Sequence, residues 1–412
     1  MTPDVRLMFT TRFVRLFAYG ALSVVLVFYL VGLGLSASQT GLLLTSTLVG
    51  DTLVSLYLTT RADRIGRKRM LIVGAVLMAA AGVVFAFTRT WWVLFVAATV
   101  GVISPSGHEV GPFLSIEQAA LSHVVSDRTR TRVLAWYALT GSMATALGAL
   151  AAGFSMRQLQ EAKMPPVDRY RVVVMAYAAI GVILAVLFSR LSPAAEAATP
   201  RERRTLEATF AGLSGLERSH AVVLKLSALF ALDSFGGGFV IQSFAAYWFY
   251  LRFGVNPATL GTIFFWANIL AGLSALLAAR LASRFGLINT MVATHLPSNV
   301  LLILVPLMPT LPLAVFVLLA RFSISQMDVP ARQSYVMAVV APEERSAAAG
   351  VTGVARTLGA AISPLFVGFL FARPDLVNVP FFVAGALKIA YDLMLYREFV
   401  NVRPPEEIRL TK

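Results

Sequence analysis

The chain has no cysteine and only four histidines in 412 residues. That excludes disulfides and thiolate metal centres. The histidines are dispersed and no nucleophile constellation accompanies them, so a membrane enzyme is not expected. No cofactor is expected. Charge is scarce too, at 14% of residues, against about 25% in an ordinary soluble domain. Acid is scarcer than base, 21 residues against 35. The resulting net charge of +14 raises the question of nucleic acid. The basic residues stand mainly in turns between apolar runs, which argues against it.

What the chain has in abundance is apolar sequence, 58% of residues. About twelve runs reach the roughly 20 residues that a helix needs to cross a bilayer core. An all-α integral membrane protein with 12 transmembrane helices is expected. The first run lacks a small-residue cleavage site and reads as a retained helix.

Between the runs 41–60 and 70–88 lies Ala62-Asp63-Arg64-Ile65-Gly66-Arg67-Lys68-Arg69. A charged turn between two spans lies in water, and its bases place it in the cytoplasm. With the N-terminus cytoplasmic, roughly twenty basic residues fall inside and about half a dozen outside, the usual bias. Both termini are therefore expected in the cytoplasm, with the protein in a plasma membrane of the bacterial inner-membrane kind. Gly66 suits a left-handed turn. Asp63 is placed to cap a neighbouring helix N-terminus, and Asp127 in the next inner turn to pair with this one.

The pattern Asp63-Arg64-x-Gly66-Arg67-Lys68 resembles the signature of the major facilitator superfamily of secondary transporters, with Thr59 where the family carries its leading glycine. The resemblance implies two pseudo-symmetric six-helix bundles, here 1–190 and 222–397, joined by a cytoplasmic linker 191–221 and followed by a tail 398–412. It also implies that spans 1, 4, 7 and 10 line a central cavity. That would gather Tyr19, Glu109, Glu117, Asp233, Gln242, Asp328 and Arg332. The Gly-Pro-x-x-Gly-Gly pattern of the family's drug antiporters is missing, since Ala149 follows Gly148.

Several spans carry polar residues that packing does not require. Arg12 and Arg15 open the first span and are expected to snorkel to the headgroups. Asp51 sits mid-span in the second, where a carboxylate is costly and usually functional. The fourth reads Ser104-Pro105-Ser106-Gly107-His108-Glu109, then Gly111-Pro112 and Glu117. Its prolines and glycines predict a kinked or partly unwound helix, tolerated only where protein or water surrounds it. On a 3.6-residue period Ser106, Glu109, Phe113 and Glu117 share a face. The seventh carries Asp233, a break at Gly236-Gly237-Gly238, and Gln242. His295 in the ninth reads as packing. In the tenth, Arg321, Ser325, Asp328 and Arg332 fall on one helical face. Arg356 lies in the eleventh, and Lys388 and Asp392 in the twelfth are spaced to pair.

The two halves repeat. Gly41 matches Gly261 and Gly66 matches Gly286, 220 residues apart, while Gln118 matches Gln333 and Arg130 matches Arg345, 215 apart. Charge breaks the repeat: Glu117 corresponds to Arg332, Ser106 to Arg321, Phe113 to Asp328 and Asp51 to Ala271. These unlike positions are the candidate site, with His108 beside them. The expected function is proton-coupled transport of a small organic solute, with efflux preferred over import. Asp51, Glu109, Asp233 and Asp328 are the candidate proton carriers, because a carboxylate in a partly desolvated cavity can load and release a proton. Glu117 and Arg332 are the expected inner gate. The alternative is import of a small organic anion held by Arg321, Arg332 and Arg356, since arginine presents a bidentate fork. The expected partners are solute, proton and bilayer, with the protein a monomer.

Overall fold

Thr2 starts the first helix: its hydroxyl accepts the Val5 N–H at 3.4 Å, and Pro3 follows in the first turn. The structure is a computed structural model that describes residues 2–108, 111–125, 127–196, 216, 218–341 and 344–402. Side chains at 60, 63, 64, 122, 123, 127–132, 279, 283 and 346 fall outside that description. Glu109 therefore lies outside the described residues, as do the side chains of Asp63, Arg64 and Asp127.

Among the described residues every regular element is helical. The helices are α1 (Pro3–Gly32), α2 (Ala37–Ile65), α3 (Arg67–Phe87), α4 (Trp91–Val100), α5 (Phe113–Val124), α6 (Asp127–Glu161), α7 (Pro166–Phe188), α8 (His220–Gly238), α9 (Gln242–Phe253), α10 (Pro257–Phe285), α11 (Leu287–Leu304), α12 (Leu311–Phe322), α13 (Asp328–Val339), α14 (Arg345–Phe371) and α15 (Val379–Phe399). Ten stretches are long and apolar enough to cross a membrane, and α4 and α12 are shorter apolar helices. Those two are the first parts of the fourth and tenth expected spans, both of which are interrupted.

The interruptions shape both spans. The fourth is unwound, as its prolines and glycines predict: residues 101–108 and 111–112 are non-helical between α4 and α5. Ser106 therefore leaves the face it was expected to share with Phe113 and Glu117. The tenth span breaks at 323–327, so Ser325 leaves the polar stripe and Arg321 and Asp328 belong to different helices. Pro330 explains the restart. Its ring excludes the bond that residue 326 would accept in a continuous helix. The seventh span breaks at 239–241 after its glycines, as expected. The basic turn shrinks to one residue, because α2 runs to Ile65 and α3 starts at Arg67. Gly66, at φ 120°, makes that corner, and Gly286, at φ 83°, makes the equivalent one.

The chain divides into two compact units. One holds 1–203, 241–269 and 364–377; the other holds 204–240, 270–363 and 378–412. In the first unit two close helix crossings stand out. A Cβ on Gly41 would lie 2.5 Å from the Pro364 carbonyl oxygen and 2.8 Å from Gly368 Cα. One on Gly153 would lie 2.6 Å from the Ala258 carbonyl oxygen and 2.9 Å from Gly261 Cα. The repeat converts one crossing into the other, 41 to 261 and 368 to 153. Small residues allow such backbone contact between membrane helices. The core of the second unit packs α8, α11, α13, α14 and α15 through Leu226, Phe230, Met291, Tyr335, Ala348 and Tyr391.

Candidate functional site

In the first unit the expected site residues are largely engaged in holding helices. Glu117 on α5 is fully buried, and four donors surround it. Arg15 gives two bonds, at 3.0 and 2.6 Å, Thr11 a third at 3.0 Å, and the Tyr137 hydroxyl a fourth. Arg15 is itself fully buried over the Phe113 ring, and Arg12 is buried over the Tyr137 ring. Neither arginine reaches headgroups, because an unpaired buried carboxylate on α5 is the costlier alternative. Of the two residues expected at the inner gate, Glu117 is satisfied by donors of α1 and α6 and Arg332 by carboxylates of its own unit. Asp51 accepts the Gly111 N–H and, at 3.3 Å, the Ser55 hydroxyl. It thus anchors the end of the non-helical segment, where Gly111 has φ 80°. Tyr19 is fully buried, its ring 6.1 Å from that of Tyr177.

The non-helical segment is held by a polar network. Pro105 offers its carbonyl to the Ser243 N–H at 3.2 Å and to the Ser243 hydroxyl at 2.5 Å. Thr145 donates to the Gly107 carbonyl at 3.1 Å. Gln242 donates to the Ser23 hydroxyl at 2.7 Å and accepts from Asn268 at 3.0 Å. Both ends of its amide are thereby occupied. His108, within this segment, has an exposed side chain.

The motif residues are pinned from an unexpected side. Glu196 accepts the backbone N–H groups of Arg67 at 2.6 Å and Lys68 at 3.1 Å. It caps α3, whose N-cap is a glycine with no side chain to offer. Lys68 Nζ donates to the Leu191 carbonyl at 3.0 Å and the Arg67 guanidinium to that of Ala195 at 3.4 Å. The first residues after α7, where the expected linker begins, are therefore packed. Glu344 does the same for α8, accepting from the Arg218 and Ser219 N–H groups at 2.7 and 2.9 Å.

The second unit gathers the charges. Asp233 on α8 accepts from Lys388 at 2.6 Å through one oxygen and from Arg332 at 2.9 Å through the other. His295 Nε2 lies 3.6 Å from the first oxygen. The other face of the same imidazole meets Asp392 at 2.8 Å, and Asn299 donates to Asp392 at 2.9 Å. Asp328 stands 3.5 Å from Arg332. Arg321 and Arg356 lie within electrostatic reach of both Asp233 and Asp328. Of the sequence candidates, Asp233, Asp328, Arg321, Arg332 and Arg356 thus come together. Lys388 and Asp392 do not pair with each other, because each finds a stronger partner on another helix. His295 belongs to the cluster rather than to plain packing, and only its polarity on an apolar helix hinted at this. Four fixed cations (Arg321, Arg332, Arg356, Lys388) face three carboxylates (Asp233, Asp328, Asp392). A proton on the His295–Asp392 pair changes that balance by one charge.

Comparison with known proteins agrees with this architecture. The family model described as Major Facilitator Superfamily matches residues 8–364 and, in a second match, 226–411. The chain is similar to an uncharacterized membrane protein of Saccharomyces cerevisiae, 30% identical over 424 residues, covering 97% of this chain and 94% of that protein. Among solved structures, a nucleoside transporter superposes with a TM-score of 0.75 at 14% identity, covering 96% of this chain and 99% of its own. A D-xylose–proton symporter superposes with a TM-score of 0.73 at 15% identity, covering 95% and 97%.

Proposed function

The chain belongs to the major facilitator superfamily, and from that premise we propose that it moves a small organic solute across its membrane by alternating access, coupled to protons through the Asp233 cluster. It is a multi-pass membrane protein of an all-helical transporter fold. The moving bodies in this proposal are the two six-helix halves, 1–190 and 222–397, as the superfamily's parallel repeat suggests. Both termini are assigned to the cytoplasmic side and the working unit to a monomer without cofactor. A yeast relative gives no support to a specifically bacterial inner membrane, so the assignment is of orientation only.

The observation that carries the reading is Asp233 itself. One buried carboxylate, beside a break in its helix, is shared by Lys388, Arg332 and His295. Charged groups at membrane depth mark ion and substrate pathways. His295 joins this carboxylate to Asp392, so proton loading at one end alters the charge felt at the other. Asp51, one of the sequence's proton candidates, has an oxygen committed to Gly111 and Ser55. The coupling role therefore passes to His295 and Asp392, with Asp233 and Asp328 completing the charge set. The network couples transport to the proton gradient without fixing direction, so efflux has no advantage over import.

Purified protein in liposomes tests this. Asp392→Asn should abolish solute movement driven by an imposed pH gradient while leaving solute counterflow active. Full pH-driven movement in Asp392→Asn and in His295→Gln would remove the cluster from coupling.

A further inference from the structure

Resting on that transporter reading, we infer that the second unit contains a receptor for the oxyanion of the solute, a carboxylate or phosphate monoester, formed by Arg321, Arg332, Arg356 and Tyr391. Four helices supply these groups: α12 carries Arg321 in its last turn, α13 Arg332, α14 Arg356 and α15 Tyr391. The Nε of all three arginines and the hydroxyl of Tyr391 are buried, and none has a hydrogen-bond partner among the described residues. Such groups are normally satisfied when buried, and four together mark a missing acceptor. Tyr391 is 1% exposed, and it lies within electrostatic reach of Arg332 and Arg356.

The charges agree with the geometry. The carboxylates are already spoken for: Asp233 holds Lys388 and Arg332, Asp392 holds His295, and Asp328 faces Arg332. Arg321 and Arg356 make no ion pair among the described residues. Among the described residues the cluster therefore lacks one negative charge. Gly353, one turn before Arg356 on α14, is exposed, and a Cβ there would meet nothing within 4 Å. A guanidinium fork matches two oxygens of a carboxylate or phosphate, which an ammonium does not. A neutral sugar could accept from these donors but would leave the positive charge unmatched, and a lipophilic cation would leave both unmatched.

The test is thermal unfolding of the purified full-length protein in detergent at fixed pH. The probes are succinate, benzoate and glycerol 3-phosphate, against succinamide, benzamide, glycerol, tetraphenylphosphonium and chloride. At least one organic anion should raise the unfolding temperature in a saturable way, and whether it is a carboxylate or the phosphate names the oxyanion. The neutral counterparts and the cation should not. Arg321→Gln and Arg356→Gln should each raise the half-saturating concentration about tenfold or more, with Arg356→Lys failing to restore it. If these variants do not fold, protection of Arg321 and Arg356 from phenylglyoxal by the same anion, read by peptide mass spectrometry, is expected in the wild type. A response equal to that of chloride, or anion binding unchanged in both glutamine variants, overturns the receptor. Counterflow of neutral or cationic solutes without any response to anions sinks the receptor and keeps the transporter. Anion binding that meets these criteria without counterflow does the reverse.

Discussion

Glu117 and Asp233 are both buried carboxylates facing arginine, yet their surroundings assign them different work. Glu117 has both oxygens occupied by α1 and α6 donors. It is a lock. A buried ion pair contributes little net stability, but removing one partner costs about 3–5 kcal/mol because the other is stranded. Arg15→Met should therefore lower stability by roughly that amount, read by chemical denaturation in detergent. The double variant Arg15→Met/Glu117→Leu should recover most of the loss and keep pH-driven transport. If the double variant folds but loses coupling, Glu117 belongs to the machinery. Asp233 contrasts with this: its partners are shared with His295, Asp328 and the unmatched arginines. The sequence made both carboxylates visible, since each interrupts an apolar run. It could not show the pairings. Asp233 lies 99 residues from Arg332 and 155 from Lys388, whereas helical periodicity relates only residues three or four apart. Spacing alone therefore pairs Lys388 with Asp392, and position alone sends Arg15 to the headgroups.

Helix interruptions were legible wherever glycine and proline cluster. The breaks after α4 and at 239–241 both follow from that chemistry. The break at 323–327 contains neither residue, so the polar residues around it read as one continuous stripe. Its only signal was Pro330, placed just inside the restarted helix. The crossings of α2 with α14 and of α6 with α10 were half legible: each glycine was visible, but not its partner. At both crossings backbone meets backbone, so a side chain cannot be accommodated by a rotamer change. Gly261→Val should force α10 away from α6, because its Cβ would sit 2.5 Å from the Ala149 carbonyl oxygen. The absence of native cysteine makes this measurable. Ala149 is fully buried, so a cysteine there should react slowly with a maleimide. Adding Gly261→Val should raise that rate about tenfold or more, the equivalent of about 1.4 kcal/mol in opening free energy. An unchanged rate in monodisperse protein would mean that the crossing does not seal this end.

The repeat is the deepest regularity in the molecule. It places Gly66 and Gly286 at equivalent corners, pairs Gly41–Gly368 with Gly261–Gly153, and interrupts spans 4 and 10 alike. Where the halves differ, the difference is chemical: the first half has Glu117 neutralised by Arg15, and the second has Arg332 at that position inside a cluster with surplus cations. Conserving the scaffold while breaking the charge is what an asymmetric solute demands of a symmetric frame. The same symmetry predicts an orientation, because the bases crowd both equivalent corners, Arg61, Arg64, Arg67, Lys68 and Arg69 at one and Arg280 and Arg284 at the other. The turn after α3 holds only Arg89. Since basic turns are retained in the cytoplasm, single cysteines should sort cleanly. Arg69→Cys and Arg284→Cys, both at exposed positions, should react with an impermeant maleimide only after permeabilisation. Arg89→Cys, also exposed, should react in intact cells when the protein sits in the plasma membrane. The reverse pattern would invert the molecule and put the two glycine corners outside. Labelling of 69 and 284 on opposite sides would break the parallel relation of the halves on which alternating access depends.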